Sequence, residues 1–157
     1  MTDQPDSAPA VLIVGAGPSG LTLACELARS GVAFRLIEAA PGPQPGSRGK
    51  GVQPRSLEVF DNLGLVDRVL ANGQMAMPIR STAPDGQVTL DGTQALSDRQ
   101  DIPYPASLIT PQWQIEAALR LRLAQLGGAV AFGTALTSFA SSDERVSAVI
   151  VKGGKTE

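Results

Sequence analysis

Histidine does not occur anywhere in the 157 residues, and cysteine occurs once, at position 25. The first absence removes Ser–His–Asp triads, Cys–His dyads and His-ligated zinc. The second removes a disulfide framework and any multi-cysteine metal site. Aromatic residues make up only 4% of the chain, with a single tryptophan. Charge is balanced, 13 Lys+Arg against 15 Asp+Glu, without the cationic footprint that a nucleic-acid binder needs. No apolar run approaches the ~20 residues that span a bilayer. The first ten residues, M-T-D-Q-P-D-S-A-P-A, lack the basic start and apolar stretch of a signal peptide. These absences lead to the expectation of a soluble, cytoplasmic protein whose partners include neither nucleic acid nor membrane. They leave a bound cofactor, rather than acid–base side chains, to carry any chemistry.

What is present is a globular composition, 43% hydrophobic and 18% charged, at a length that suits one domain. There is no internal repeat, and the Pro/Gly-rich stretch 41–46 is too short to link two domains. Residues 10–14 form a short branched run that predicts a buried parallel strand. Leu21, Leu23, Ala24, Leu27 and Ala28 follow at helical spacing, stopped at Gly31. Residues 32–37 read as a second strand ending at Glu38, which makes a β–α–β unit with a right-handed crossover. Pro54 opens a helix carrying Leu57, Val59, Phe60 and Leu63, and 65–71 reads as another. Residues 75–105 change character, alternating apolar positions about Pro84-Asp85-Gly86, which predicts a β-hairpin excursion. A long helix is expected after Thr110-Pro111, with Thr110 as its N-cap and Gly127-Gly128 as its stop. Residues 129–139 and 146–151 read as a closing strand pair.

Gly15-Ala16-Gly17-Pro18-Ser19-Gly20 joins the first strand to the first helix. Gly15 allows the tight turn, Gly17 lets a pyrophosphate approach the backbone, and Gly20 lets helix and sheet pack closely. The helix N-terminus offers its N–H groups and positive dipole to the phosphates. Glu38 stands 18 residues past Gly20, at the end of the second strand, where a carboxylate can accept from a ribose diol. That acid disfavours a 2′-phosphate, so the site suits NAD or FAD rather than NADP.

Three separated segments carry a family resemblance: 11–38, then S-R-G-K-G-V-Q-P-R-S-L-E-V at 47–59, then P-Q-W-Q-I-E at 111–116. Together they resemble the N-terminal third of the para-hydroxybenzoate hydroxylase group of flavin-dependent aromatic monooxygenases, above all its bacterial polyketide and phenol hydroxylases. The resemblance implies an α/β Rossmann-like FAD-binding core with helices and a β excursion, an incomplete fragment of a larger two-domain flavoprotein. On it, 1–157 would be the N-terminal part of an FAD-binding domain, with 75–105 reaching toward an absent substrate domain. It also implies FAD as cofactor, NAD(P)H as co-substrate and a small aromatic molecule as substrate. Gly15, Gly17, Pro18, Ser19 and Gly20 would hold the pyrophosphate, and Glu38 the adenosine ribose. Arg48 would lie near the adenine–ribose or pyrophosphate, and Gln112 at the ribityl chain or phosphates. Arg55 is a weaker candidate for the same surface.

No catalytic acid, base or metal ligand is expected in this stretch. Cys25 reads as a small buried hydrophobe, and Trp113, Met75 and Met77 as packing. The hairpin's apolar residues make a second copy of the chain a candidate partner. Two alternatives stand beside this reading. One is a non-catalytic nucleotide-binding or dimerising module; the other is part of a halogenase or reductase of the same fold.

Overall fold

A computed structural model describes residues 9–46, 49–75, 79–91 and 102–156. The chain divides into two units, 1–45 with 119–157 and 46–118, the boundary falling within a long helix.

The first unit opens with β1 (Val11–Val14), α1 (Pro18–Arg29) and β2 (Phe34–Glu38). β1 and β2 pair in parallel from Val11↔Phe34 to Val14↔Ile37, as the sequence predicts. The second strand begins two residues later than expected, because Val32 is taken up in closing the helix. Val32 N–H donates to Leu27 O at 3.0 Å and Gly31 N–H to Ala28 O at 3.2 Å. This is a Schellman turn, with Gly31 at φ 70° supplying the left-handed residue. Leu21, Ala24 and Cys25 form the buried stripe of α1. The Cys25 Sγ–H donates to Leu119 O at 3.6 Å. Burial pushes this thiol up to about 11.

The expected closing strand, 129–139, is in fact two strands. Gly133, at φ 64°, divides it. β8 (Val130–Phe132) joins β2 in parallel, giving the order β1-β2-β8 with β2 central. β9 (Thr134–Ser141) turns away to pair antiparallel with β10 (Val146–Lys152), beside β11 (Lys155–Thr156). Gly133 N–H donates to Ala40 O at 2.8 Å, anchoring the break to the loop after β2.

The second unit contains β3 (Gly51–Val52), α2 (Pro54–Asn62), α3 (Val66–Leu70), β4 (Gln74–Met75) and β7 (Leu108–Ile109). Pro54 occupies the first turn of α2 as expected. β7 lies between β3 and β4 in a small antiparallel sheet that no periodicity signals, since each strand is two residues long. Leu108 is fully buried there. A Cβ on Gly73 would come within 2.7 Å of its side chain, so this corner needs glycine.

β5 (Ile79–Thr82) and β6 (Val88–Asp91) form the predicted hairpin. Ala83 N–H donates to Gln87 O at 2.8 Å, and Gly86 holds φ 85°. Met77 and the rest of the expected excursion up to residue 101 lie outside the described residues.

The long helix α4 (Gln112–Gln125) begins one residue past Pro111, and Thr110 is not its cap. The Thr110 side chain is buried, and its Oγ1 lies 2.9 Å from Asn72 O and 3.0 Å from Gln114 Oε1. The hydroxyl therefore ties the turn after α3 to the start of α4 instead of receiving a helix N–H.

Candidate functional site

β1 delivers the chain to Gly15, whose N–H continues the parallel ladder by donating to Ile37 O at 2.8 Å. Its φ of +99° makes the turn that residues with a Cβ rarely adopt. Gly17 is the N-cap of α1, with Pro18 in the first turn and no side-chain cap. A helix that starts in this way presents backbone N–H groups and the positive end of its dipole to an anion.

The three glycines differ in what a side chain would meet. A Cβ on Gly20 would lie 2.0 Å from Gly15 O, so the helix and the turn touch backbone to backbone. A Cβ on Gly15 or Gly17 would meet nothing within 4 Å. That open space beside an uncapped helix start is a cradle of the kind a diphosphate fills, and the residues present fit an adenine dinucleotide. Ser19 is exposed and Pro18 half-buried beside it.

Glu38 closes the same cradle from β2. Its Oε2 accepts from Ala16 N at 2.9 Å, and its Oε1 accepts from Ala40 N at 2.9 Å. The carboxylate thus pins the middle of the glycine turn to the end of β2. Each carboxylate oxygen can accept more than one hydrogen bond, so this anchoring is compatible with a ribose diol. The structure therefore brings Gly15, Gly17, Gly20 and Glu38 together within one unit.

Gln112 belongs to the other unit, on the first turn of α4. Its Nε2 donates to Glu116 Oε1 at 2.7 Å, and its Oε1 lies 3.5 Å from where a Cβ on Gly49 would sit. Glu116 stands one helical turn from Gln112, at the i,i+4 spacing where such side chains meet. Arg48 lies outside the described residues. Arg55 is exposed and pairs with Glu58 on the surface of α2. Trp113 is nearly half exposed, at 46%, so of the core or domain-interface packing expected for it, the core place is not the one it takes. Tyr104 has its hydroxyl titration raised, first by desolvation and then by a hydrogen bond to Asp61. Among the described residues no three His, Cys, Asp or Glu converge as a metal site would require. No helix among them is long and apolar enough to cross a membrane.

A β–α–β unit with a glycine turn, an open phosphate cradle and an acid at the end of the second strand defines a dinucleotide-binding protein. The chain belongs to the FAD-binding domain family, whose model matches residues 9–157. It is 42% identical over 153 residues to a flavin-dependent monooxygenase of Mycobacteroides abscessus, an alignment covering 94% of this chain and 32% of that protein. It is 39% identical over 154 residues to 6-methylpretetramide 4-monooxygenase of Streptomyces rimosus, covering 95% of this chain and 26% of that one. Among solved structures it is similar to aklavinone-11 hydroxylase in a ternary complex with FAD and aklavinone. There the TM-score is 0.80 at 27% identity, over 100% of this chain and 31% of that one. The chain thus spans about a third of the length of the relatives it matches. The resemblance seen in the three sequence segments is borne out, as are the α/β fold and FAD as the family's cofactor.

Proposed function

We propose that this chain is the FAD-binding part of an NAD(P)H-dependent monooxygenase that hydroxylates an aromatic ring of the phenol or polyketide type. The observation that carries the reading is the cradle: open space at Gly15 and Gly17 beside the uncapped start of α1, closed by Glu38. In this reading residues 15–20 bind the diphosphate through backbone N–H groups, with Pro18 and Ser19 shaping the first turn. Glu38 accepts from the adenosine ribose while holding the turn through Ala16. Gln112 contacts the ribityl chain or the phosphates, and Arg48 supplies positive charge near the diphosphate. When bound, FAD accepts reducing equivalents from a nicotinamide and supplies the oxygen-activating chemistry. This chain's own residues bind and orient it. The 75–105 segment serves the substrate side of the protein, and its hairpin is the surface through which a second copy would pair. The names of the relatives support an aromatic substrate: one is a 6-methylpretetramide monooxygenase and another a pentachlorophenol monooxygenase.

The test is titration of the purified chain with FAD and, separately, with ADP. Both are expected to bind and to compete. Glu38→Ala is expected to weaken each by about 1–3 kcal/mol, the range for hydrogen bonds to a charged group. An unchanged dissociation constant removes Glu38 from the site. Absence of binding by either ligand removes the reading altogether.

A further inference from the structure

We propose that Asn72 is a self-modification site, converted to aspartate or isoaspartate by its own backbone, and that the Thr110 hydroxyl is the catch that slows the conversion. The Gly73 backbone nitrogen bonds to Asn72 Cγ, and the side-chain amide leaves as ammonia, taking the Gly73 N–H proton. A succinimide ring is left. Water then opens the ring at either carbonyl, giving aspartate, or isoaspartate with the main chain running through the side-chain carbons. Water is the only co-reactant. The residue after an asparagine decides how readily the ring closes, because a Cβ there crowds the attacking nitrogen. The chain has two asparagines: Asn62 is followed by leucine and Asn72 by glycine. The fold itself demands that glycine, since a Cβ at 73 would lie 2.7 Å from the Leu108 side chain. Asn72 is exposed, so water reaches it. Packing against Leu108 thus leaves an exposed amide beside the least hindered nucleophile the backbone offers.

The same corner holds the reaction back. Asn72 Nδ2 donates to Arg68 O at 2.8 Å, which folds the side chain back along α3. The Gly73 N–H donates to Leu70 O at 3.2 Å, and that proton must be given up before the nitrogen can attack. Ring closure also turns the Asn72 Cα–C bond, which swings the Asn72 carbonyl. That carbonyl oxygen lies 2.9 Å from the buried Thr110 Oγ1. Immediately downstream, Gln74 is already in register with Ile109. Conversion therefore waits for a local opening of the corner. The product does not fit back in, because a carboxylate has no hydrogen to share with Arg68 O. All of these groups belong to the unit 46–118.

The experiment incubates the full chain at neutral pH, folded and, in parallel, unfolded in urea. Peptide mapping by mass spectrometry follows the amide-to-acid change and isoaspartate at each asparagine. Conversion is expected at Asn72 and not at Asn62, and at least about tenfold slower in the folded chain than in urea. Thr110→Val removes the hydroxyl and should speed conversion of the folded chain about fivefold, the equivalent of one hydrogen bond, with the rate in urea unchanged. Thr110→Ser keeps the hydroxyl and should stay within about twofold of the parent. An Asn72 that stays intact in the folded chain overturns the site. Equal rates in the folded and unfolded chain overturn the restraint by the fold. A folded Thr110→Val that reacts at the parent rate overturns the catch. Where Thr110→Val loses its helical circular dichroism, Thr110→Ser decides, and conversion of that variant at the rate seen in urea overturns the catch as well.

Discussion

Gly17 and Gly20 are separated by three positions and serve opposite masters, one the ligand and one the fold. Gly17 has φ −75° and ψ −177°, a conformation any residue adopts, and nothing within 4 Å of an added Cβ. Gly17→Ala should therefore unfold within about 0.5 kcal/mol of the parent, as open sites do. Its methyl group would occupy the cradle, so FAD and ADP should bind about tenfold or more weakly. Gly20→Ala places its Cβ 2.0 Å from a backbone oxygen, and backbone must move to relieve it. That variant should lose at least about 1–3 kcal/mol of stability, the usual range for overpacking. Thermal melts beside ADP titrations check both, and a stable Gly20→Ala or a fully binding Gly17→Ala would contradict the assignment. Cys25 allows a pH test at the same scale. Its thiol is fully buried and titrates at about 11, against 9.0 when unperturbed. The folded state holds the proton more tightly, so nothing changes below pH 9 and stability falls as pH rises from 9 to 11. The loss should reach about 2–3 kcal/mol above pH 11. It should vanish in the difference between parent and Cys25→Ala if the thiol is not its source.

Among elements, β2 and the β5–β6 hairpin mark the extremes of expected protection. β2 is paired on both sides, and Leu36 and Ile37 are buried. Among the described residues β5 and β6 pair only with each other, and Val88 and Leu90 stand exposed, Leu90 at 71%. A lone two-stranded ribbon is marginal in water. Amide exchange should be fast throughout residues 80–90 and approach the global unfolding limit at Leu36 and Ile37. If a second copy covers the hairpin, protection there should rise with protein concentration, and Leu90→Lys should abolish the rise. Slow exchange that is independent of concentration would show the hairpin to be stable by itself.

For the whole molecule, the contacts proposed above are to the adenosine, diphosphate and ribityl parts of FAD, and none of those proposed walls the flavin ring. The chain spans 32% of one relative and 26% of another. Productive oxygen transfer requires a site from which water is excluded. With FAD and NADH or NADPH added, the chain should reduce oxygen to hydrogen peroxide, oxidising the nicotinamide, and form no hydroxylated product from simple phenols. Coupled formation of product in an oxygen-uptake assay would show that these residues suffice.

The β–α–β unit was legible in the sequence because each of its parts is local. A branched run makes β1, Gly15 turns it, Pro18 starts α1 and Gly31 ends it, all within 21 residues. Glu38 was legible as well, since its place follows from where β2 ends. Three features were decided only by tertiary structure. Residues 129–139 read as one strand, yet Gly133 gives β8 to the parallel sheet and β9 to the antiparallel one. β3, β4 and β7 are too short for any periodicity, and exist because their partners arrive from as many as 58 residues away. Thr110 reads as a helix cap, but its buried hydroxyl sits against Asn72 O, 38 residues back. Local steric preference and hydrophobic spacing are written along the chain. Which distant backbone group a strand or a buried hydroxyl meets is set only when the core closes around it.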